Sequence, residues 1–401
     1  MNINECFLSL SRSLDFTRKG LMRHHQRTAL IAAKLGKAAG MCDEELLELF
    51  QAAIIHDIGI TSWHEKEGLA TFEIDAPWQH CRRGYELLYL NASLHPLAKI
   101  ILSHHDRWSG VNPSGLNKHE IPLASRIIHL ADRVDISVGR KRDILDQSST
   151  IMEKIRKRSR VFFDPDLVAI LEELIRKDSF WLDLTSQWEK ESLDTMVPIY
   201  SIPVETDYLL DIARLFAQVV DAKSPFTYRH SKGVAMIAKF LGQQSGLSPD
   251  ECAWLEIAGL LHDLGKLSVP NEILEKPDKL TVSEYNTMKQ HTYYTYWLLK
   301  PVTNAFPLAE WAAYHHERPN GRGYPFGKTG EELDQKARVI TIADIVVALR
   351  EERPYRSNMG WDQITKVMNE LVKVGALDKD GVTAILDNQG TIDRKWAELS
   401  L

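Results

Sequence analysis

Cysteine is scarce in this chain: four residues among 401, at positions 6, 42, 81 and 252, each standing alone. Such spacing predicts reduced thiols and argues against both a disulfide frame and a thiolate zinc site. Excess positive charge is lacking too. The 49 Lys and Arg face 55 Asp and Glu, a formal net charge of -6, so no broad basic face for duplex nucleic acid is expected. No run approaches the roughly 18 apolar residues of a membrane span. The first residues, MNINECFLSLSRSLDF, lack the basic start and long apolar stretch of a signal peptide. These absences predict a cytoplasmic protein with no membrane partner. Strand-like alternation is also nearly missing. Only 197–204, VPIYSIPV, reads as extended, because its two prolines discourage helix.

Helical spacing fills the rest. In 230–242, HSKGVAMIAKFLG, the residues Val234, Ile237 and Leu241 recur three and four apart and mark one buried face. Ala29, Leu30, Ile31 and Leu35 do the same early in the chain. Both helices read as ending at a glycine, Gly36 and Gly242, before an acidic restart. Ser248-Pro249-Asp250-Glu251 is a strong start signal: a capping hydroxyl, proline in the first turn, then carboxylates at the positive helix end. The expected fold is all-α. A chain of 401 residues exceeds what one core serves, so two related helical bundles are expected: 1–195, a short extended linker at 196–205, and 206–401. The basic clusters Arg140-Lys141-Arg142 and Arg156-Lys157-Arg158 read as solvated helix faces.

A duplicated set of donors stands out from this plain background. His24, His56, Asp57, His80, His104, His105 and Asp132 recur as His230, His262, Asp263, His291, His315, His316 and Asp344. The offsets are 206 for the first three, 211 for the next three and 212 for the last. All five histidines after residue 207 belong to the set. Asp344 falls within the apolar run 339–349, where a carboxylate is costly to bury without a counter-charge. A cation is the simplest counter-charge. Imidazole and carboxylate donors favour first-row divalent ions such as Fe, Mn, Zn or Ni.

Around the second set, the string His262-Asp263-Leu264-Gly265-Lys266, His315-His316-Glu317-Arg318 and Gly323-Tyr324-Pro325 resembles the signature of HD-GYP phosphodiesterases, a branch of the HD superfamily. Pro270 to Leu274, Lys276 to Thr281 and Arg353-Pro354-Tyr355-Arg356 fit the same resemblance, which spans about 207–380. It implies HD-type bundles and hydrolysis of a cyclic dinucleotide, cyclic di-GMP or 3′,3′-cyclic GMP-AMP, to the linear dinucleotide. The reaction would run at two divalent metals, with Fe or Mn favoured and Zn or Ni as alternatives. Carried over, His230, His262 and Asp344 hold one metal, His291, His315 and His316 the other, and Asp263 bridges them. Phe226 stands where some relatives place a Glu for a third metal. Hydroxide held between two cations would attack phosphorus, while Lys266 neutralises phosphoryl charge. Arg353 and Arg356 resemble phosphate-gripping residues, and Tyr324 offers an aromatic face to substrate. The glycine-rich loop 321–327 reads equally as a substrate-facing element or as a structural lock.

The first copy keeps all seven donors, so a second metal site at His24, His56, Asp57, His80, His104, His105 and Asp132 is expected. Yet Ile60 replaces Lys266, and Gly110 to Gly115 replaces the Gly-Tyr-Pro loop. Little cyclic-dinucleotide hydrolysis is expected there; a regulatory or scaffolding role fits, as does hydrolysis of some other phosphate ester. A catalytically silent receptor and a general nucleotide phosphohydrolase are the competing readings. A homodimer and a signalling-protein partner are both compatible with the sequence.

Overall fold

The computed structural model describes residues 3–16, 23–60, 78–139, 142–185, 189–197, 205–223, 229–302, 307–351 and 358–399. Among them there is no strand, only the isolated bridges Ser159 to Phe163 and Asn320 to Thr329. The all-α expectation therefore holds. The chain folds into two compact units, Asn2–Ile202 and Pro203–Leu401. The expected linker falls mostly outside the described residues, and Met196, its first member, ends a helix instead. No described helix is long and apolar enough to cross a membrane.

The first unit comprises α1 (Ile3–Asp15), α2 (His24–Ala38), α3 (Asp43–Ile54), α4 (Trp78–Tyr89), α5 (His95–Leu102) and α6 (Leu123–Ser137). The shorter α7 (Ser148–Arg158), α8 (Pro165–Leu174), α9 (Asp178–Thr185) and α10 (Glu189–Met196) follow. The second unit repeats the plan with α11 (Thr206–Ala222), α12 (His230–Gln244), α13 (Pro249–Leu261), α14 (Asn271–Leu274), α15 (Val282–Leu299), α16 (Leu308–Ala313) and α17 (Gln335–Arg350). Helices α18 (Trp361–Lys373), α19 (Lys379–Asp387) and α20 (Gln389–Glu398) complete it.

In each unit the first ligand-bearing helix is central: α2 packs on α3 and α6, and α12 on α13 and α17. Val234, Ile237 and Leu241 are buried as the spacing requires, as are Leu30, Ile31 and Leu35. Each such side chain contributes about 1.5–3 kcal/mol by leaving water. Helix α13 starts as read: Ser248 Oγ accepts from the Glu251 amide, and the Glu251 carboxylate accepts from the Ser248 amide at 3.0 Å. The glycines Gly36 and Gly242 do not end their helices, which run on to Ala38 and Gln244. They are packing positions. A Cβ on Gly36 would lie 2.6 Å from Leu49, and one on Gly242 2.9 Å from Leu255. The turns are made by Gly40 and Gly246, at φ 82 and 72.

Of the two basic clusters, Arg140 and Lys141 lie outside the described residues. Arg156 and Lys157 form exposed pairs with Glu172 and Glu153, as expected of a solvated face.

Two further glycines set the geometry on which the donors depend. A Cβ on Gly265 would fall 2.0 Å from the His291 carbonyl oxygen, and one on Gly59 2.0 Å from that of His80. Only glycine lets the turn after each His-Asp pair press against the backbone of the helix carrying the next histidine. In the second unit Thr295 Oγ1 locks the contact, accepting from the Gly265 amide at 2.9 Å and donating to the His262 carbonyl at 3.1 Å. Gly265→Ala is expected to cost about 3 kcal/mol by backbone displacement. Gly390→Ala, on an open helical surface, should change stability by under about 1 kcal/mol. Urea unfolding of the two variants measures both values.

Candidate metal centres

Each unit gathers its seven donors into one buried cage. In the second, α12 supplies His230 at its first residue, the end of α13 supplies His262 and Asp263, α15 supplies His291, the turn after α16 supplies His315 and His316, and α17 supplies Asp344. The Asp263 carboxylate stands at the centre. Its Oδ2 faces His262 Nε2 at 3.2 Å and His230 Nε2 at 3.6 Å; its Oδ1 faces His291 Nε2 at 3.5 Å and His315 Nε2 at 3.8 Å. His230 Nε2 also lies 3.2 Å from Asp344 Oδ1. Donor atoms of His230, His262 and Asp344 fall within one ion-sized group, and those of His291, His315 and His316 within another.

The imidazoles are oriented by the helices that bear them. His262, His291 and His315 each donate Nδ1–H to the carbonyl three residues earlier, at 2.7, 2.6 and 2.7 Å. That bond fixes the tautomer and turns the Nε2 lone pair inward. Burial pushes His291 down to about 3 despite the neighbouring Asp263; burial and His316 hold His315 well below its ordinary value. Both rings are therefore neutral, and their lone pairs meet at 3.2 Å. Such a meeting repels unless a cation lies between them. His262 Nε2 is likewise buried and faces the carboxylate of Asp263 at 3.2 Å. The donor set thus fits divalent metal ions.

Carboxylates complete the cage. Burial opposes charge on Asp263, yet His262 and Lys266 hold its carboxyl well below the usual range. Burial would also lower His230, but Asp344 and Glu351 outweigh it and raise the ring to about 10. Lys266 Nζ is paired with Asp263 Oδ2 at the partly open edge of the cage. Its place depends on Lys223, a buried ammonium donating to the carbonyls of Lys266, Leu267 and Val269 at 3.2, 2.8 and 2.6 Å. Tyr324 stacks obliquely over His316, ring centroids 4.9 Å apart. Arg353, Tyr355 and Arg356 lie outside the described residues, as does Phe226.

The glycine-rich loop proves to be tied down. The buried Glu317 carboxylate accepts from the amides of Phe326, Gly327 and Lys328 at 2.6, 3.2 and 3.0 Å. Those amides are already engaged, so phosphate is not cradled by them; the loop's offering to the cage is the Tyr324 ring. Gly323 is required because a Cβ there would lie 2.4 Å from Glu317 Cα.

The first cage has the same frame. Asp57 Oδ1 faces His56 Nε2 at 3.6 Å and His80 Nε2 at 3.5 Å, while Oδ2 faces His24 Nε2 at 3.9 Å. Asp132 Oδ1 lies 3.5 Å from His24 Nε2, and Asp132 Oδ2 lies 4.0 Å from His105 Nε2. His56 and His104 donate Nδ1–H to the Ala53 and Ile101 carbonyls. Where the second cage has Lys266 on Asp263, the first has the buried Arg133 guanidinium on Asp132 Oδ2, with Nε at 3.0 Å.

Several residues that shape the cages were not read from the sequence. Glu351 receives His230 Nδ1 at 3.0 Å, and Asp135 receives His24 Nδ1 at 2.7 Å. They sit at unmatched positions in the two copies, so the repeat gave no signal for them. Nothing in the sequence singled out Lys223. His25 and Cys81 were visible in the aligned copies, opposite Ser231 and Thr292.

Comparison with known proteins bears on both cages. The HD domain family profile matches residues 9–167 and again 214–381. The chain is 32% identical to 3′3′-cGAMP-specific phosphodiesterase 1 of Vibrio cholerae, over 97% of this chain and 92% of that protein. It is 30% identical to 3′3′-cGAMP-specific phosphodiesterase 3 of the same organism, over 99% and 96%. A cyclic di-GMP phosphodiesterase response regulator of Xanthomonas campestris is 38% identical, but over 35% of this chain and 38% of that protein. The crystal structure of the V. cholerae cyclic GMP-AMP specific phosphodiesterase V-cGAP3 superposes with a TM-score of 0.65 at 27% identity, covering 97% of this chain and 98% of that one.

Because the lone pairs crowd, metal-stripped protein is expected to gain stability on adding Mn(II). At about 100 times the dissociation constant the gain is about 2.7 kcal/mol. Differential scanning calorimetry reads it as a rise in melting temperature, and Asp263→Asn should lose the second cage's share of that rise.

Proposed function

Since this chain belongs to the HD domain family and carries the HD-GYP motif string in its second unit, we propose that it hydrolyses a cyclic dinucleotide, 3′,3′-cyclic GMP-AMP before cyclic di-GMP. The observation that carries the chemistry is the second cage, where opposed neutral imidazoles flank a central carboxylate and a lysine stands at the open edge. The choice of substrate rests on the relatives. Those aligned over nearly their whole length are named for cyclic GMP-AMP, whereas the cyclic di-GMP enzyme aligns over only 35% of this chain.

His230, His262 and Asp344 would hold one divalent ion, His291, His315 and His316 a second, with Asp263 shared; iron or manganese suits such donors, and zinc or nickel is admissible. Bound there, the ions supply a nucleophilic water at neutral pH and offset phosphoryl charge. The protein's own groups do the rest. Asp263 keeps its charge among the imidazoles and so spaces the two ion positions. Lys266 Nζ, free to turn from Asp263 to a phosphoryl oxygen, stabilises the charge that builds as water adds to phosphorus and the bond to the 3′ oxygen breaks. That oxygen leaves with a proton, and the product is the linear dinucleotide. Tyr324 and the flanking Tyr285, with centroids 6.2 Å apart, present an apolar wall for a base. Arg353 and Arg356 are assigned to phosphate contact. The first unit, 1–195, is assigned a regulatory or scaffolding role, since Ile60 cannot stabilise a phosphoryl charge, and 206–401 is the catalytic domain.

The test is anaerobic assay of the Fe(II)- and Mn(II)-loaded protein on 3′,3′-cyclic GMP-AMP, cyclic di-GMP and linear dinucleotides, with chromatography of the products. Turnover of cyclic GMP-AMP is expected. Lys266→Ile should lower kcat by about 10²–10³, Asp263→Ala should abolish turnover, and Asp57→Ala should leave it measurable. Tight binding without turnover under either metal would instead make the chain a receptor.

A further inference from the structure

We propose that the first cage is a metal centre of a different kind, in which His25 and Cys81 join the seven shared donors and close positions that the second cage leaves open to water and substrate. The inference rests on the reading that both cages hold metal, and it assigns two ligands that the duplicated motif does not contain.

His25 is fully buried. Its Nδ1 donates to Asp15 Oδ1 at 2.6 Å, which fixes the tautomer and leaves the Nε2 lone pair facing the cage. Nε2 stands 3.9 Å from Asp57 Oδ2, the same oxygen that His24 Nε2 faces at 3.9 Å. Its ring centroid is 5.3 Å from that of His24 and 5.2 Å from that of His56. The second unit keeps the carboxylate, Asp221, but has Ser231 in place of the imidazole. Ser231 Oγ donates to Asp221 at 2.8 Å and goes no further.

Cys81 completes the pattern on the other side. Its buried Sγ lies 3.6 Å from His80 Nε2 and 3.9 Å from His104 Nε2, and those two nitrogens are 3.1 Å apart. Its counterpart, Thr292, turns its hydroxyl away to the Lys289 carbonyl at 3.0 Å. That a cation belongs in this cage follows independently from His56, whose Nε2 is wholly buried, points inward and has no hydrogen-bond partner.

The additions change the chemistry in one direction. His25 Nε2 stands next to the group formed by His24, His56 and Asp57, and Cys81 Sγ next to the group formed by Asp57, His80, His104 and His105. Sites filled by protein donors hold metal structurally, while catalytic sites keep a position open. A thiolate also selects softer ions, zinc(II) above manganese(II). The first cage is therefore a tight, closed zinc-type centre, in contrast to the labile, open one of the second unit.

The test uses the full chain carrying His262→Ala and Asp263→Ala, so that added metal reports the first cage. Metal-stripped protein is titrated anaerobically with Co(II). A thiolate-to-cobalt charge-transfer band in the near ultraviolet is expected, abolished by Cys81→Thr and unaffected by Cys42→Ser. Cys81→Ala, which removes the sulfur without adding bulk, repeats the measurement if the threonine variant does not fold. Asp15→Asn, which loosens the orienting hydrogen bond of His25, should weaken cobalt binding roughly 10- to 100-fold, and His25→Ser should alter the visible ligand-field bands. Cobalt bound without the band, or a band that survives loss of Cys81, overturns the thiolate. Ligand-field bands and affinity unchanged in His25→Ser overturn the added imidazole. If no cobalt binds while circular dichroism shows a folded chain, the metal reading of the first cage itself fails.

Discussion

The structure depends on one electrostatic conflict: neutral imidazoles whose lone pairs are forced together in a dry interior. His262, His291 and His315 are each held by a hydrogen bond from Nδ1 to the carbonyl three residues earlier, and His230 by one to the Glu351 carboxylate, so these rings cannot rotate away. Burial keeps the rings from taking a proton, as at His291 and His315. Leaving such groups unmatched is costly, and a divalent cation resolves the conflict for every donor together. The helical bundle is in this sense the support of an ion site, and its central helices begin or end where a ligand is needed.

Glycine is what makes the cage small enough. The bundle's own packing brings helices to within ordinary side-chain distances, but His262 and His291 must converge on one carboxylate. Gly265 permits a backbone approach that any Cβ would block, and Gly59 does so in the other unit. Lys223 and Thr295 then stiffen the same turn by satisfying its carbonyls and amide. That turn carries His262, Asp263 and Lys266 within five residues.

Duplication with unequal equipment explains the rest. The two cages share seven donors and the Asp-centred geometry, and both fit metal. They differ at the edge. In the second, a partly buried lysine pairs with the central carboxylate, and an aromatic loop clamped by Glu317 places Tyr324 over His316. In the first, a buried arginine grips Asp132, and an imidazole and a thiol crowd the positions that Ser231 and Thr292 leave clear.

The helical class, the two bundles and the repeated string of fourteen His and Asp were legible in the amino-acid sequence alone, because apolar spacing of three and four residues and a recurring residue string are local, one-dimensional patterns. The loss of Lys266 at Ile60 was legible for the same reason. What only the tertiary structure decided concerns groups that meet across the fold. Glu351 and Asp135 orient equivalent histidines from non-equivalent positions. Glu317 occupies the loop amides, which removes phosphate cradling from the loop's duties. Cys81, whose solitary spacing argued against a thiolate metal site, lies 3.6 and 3.9 Å from the Nε2 atoms of His80 and His104. Sequence records which side chains exist and how they repeat; distance, burial and the direction of a lone pair exist only once the helices have packed.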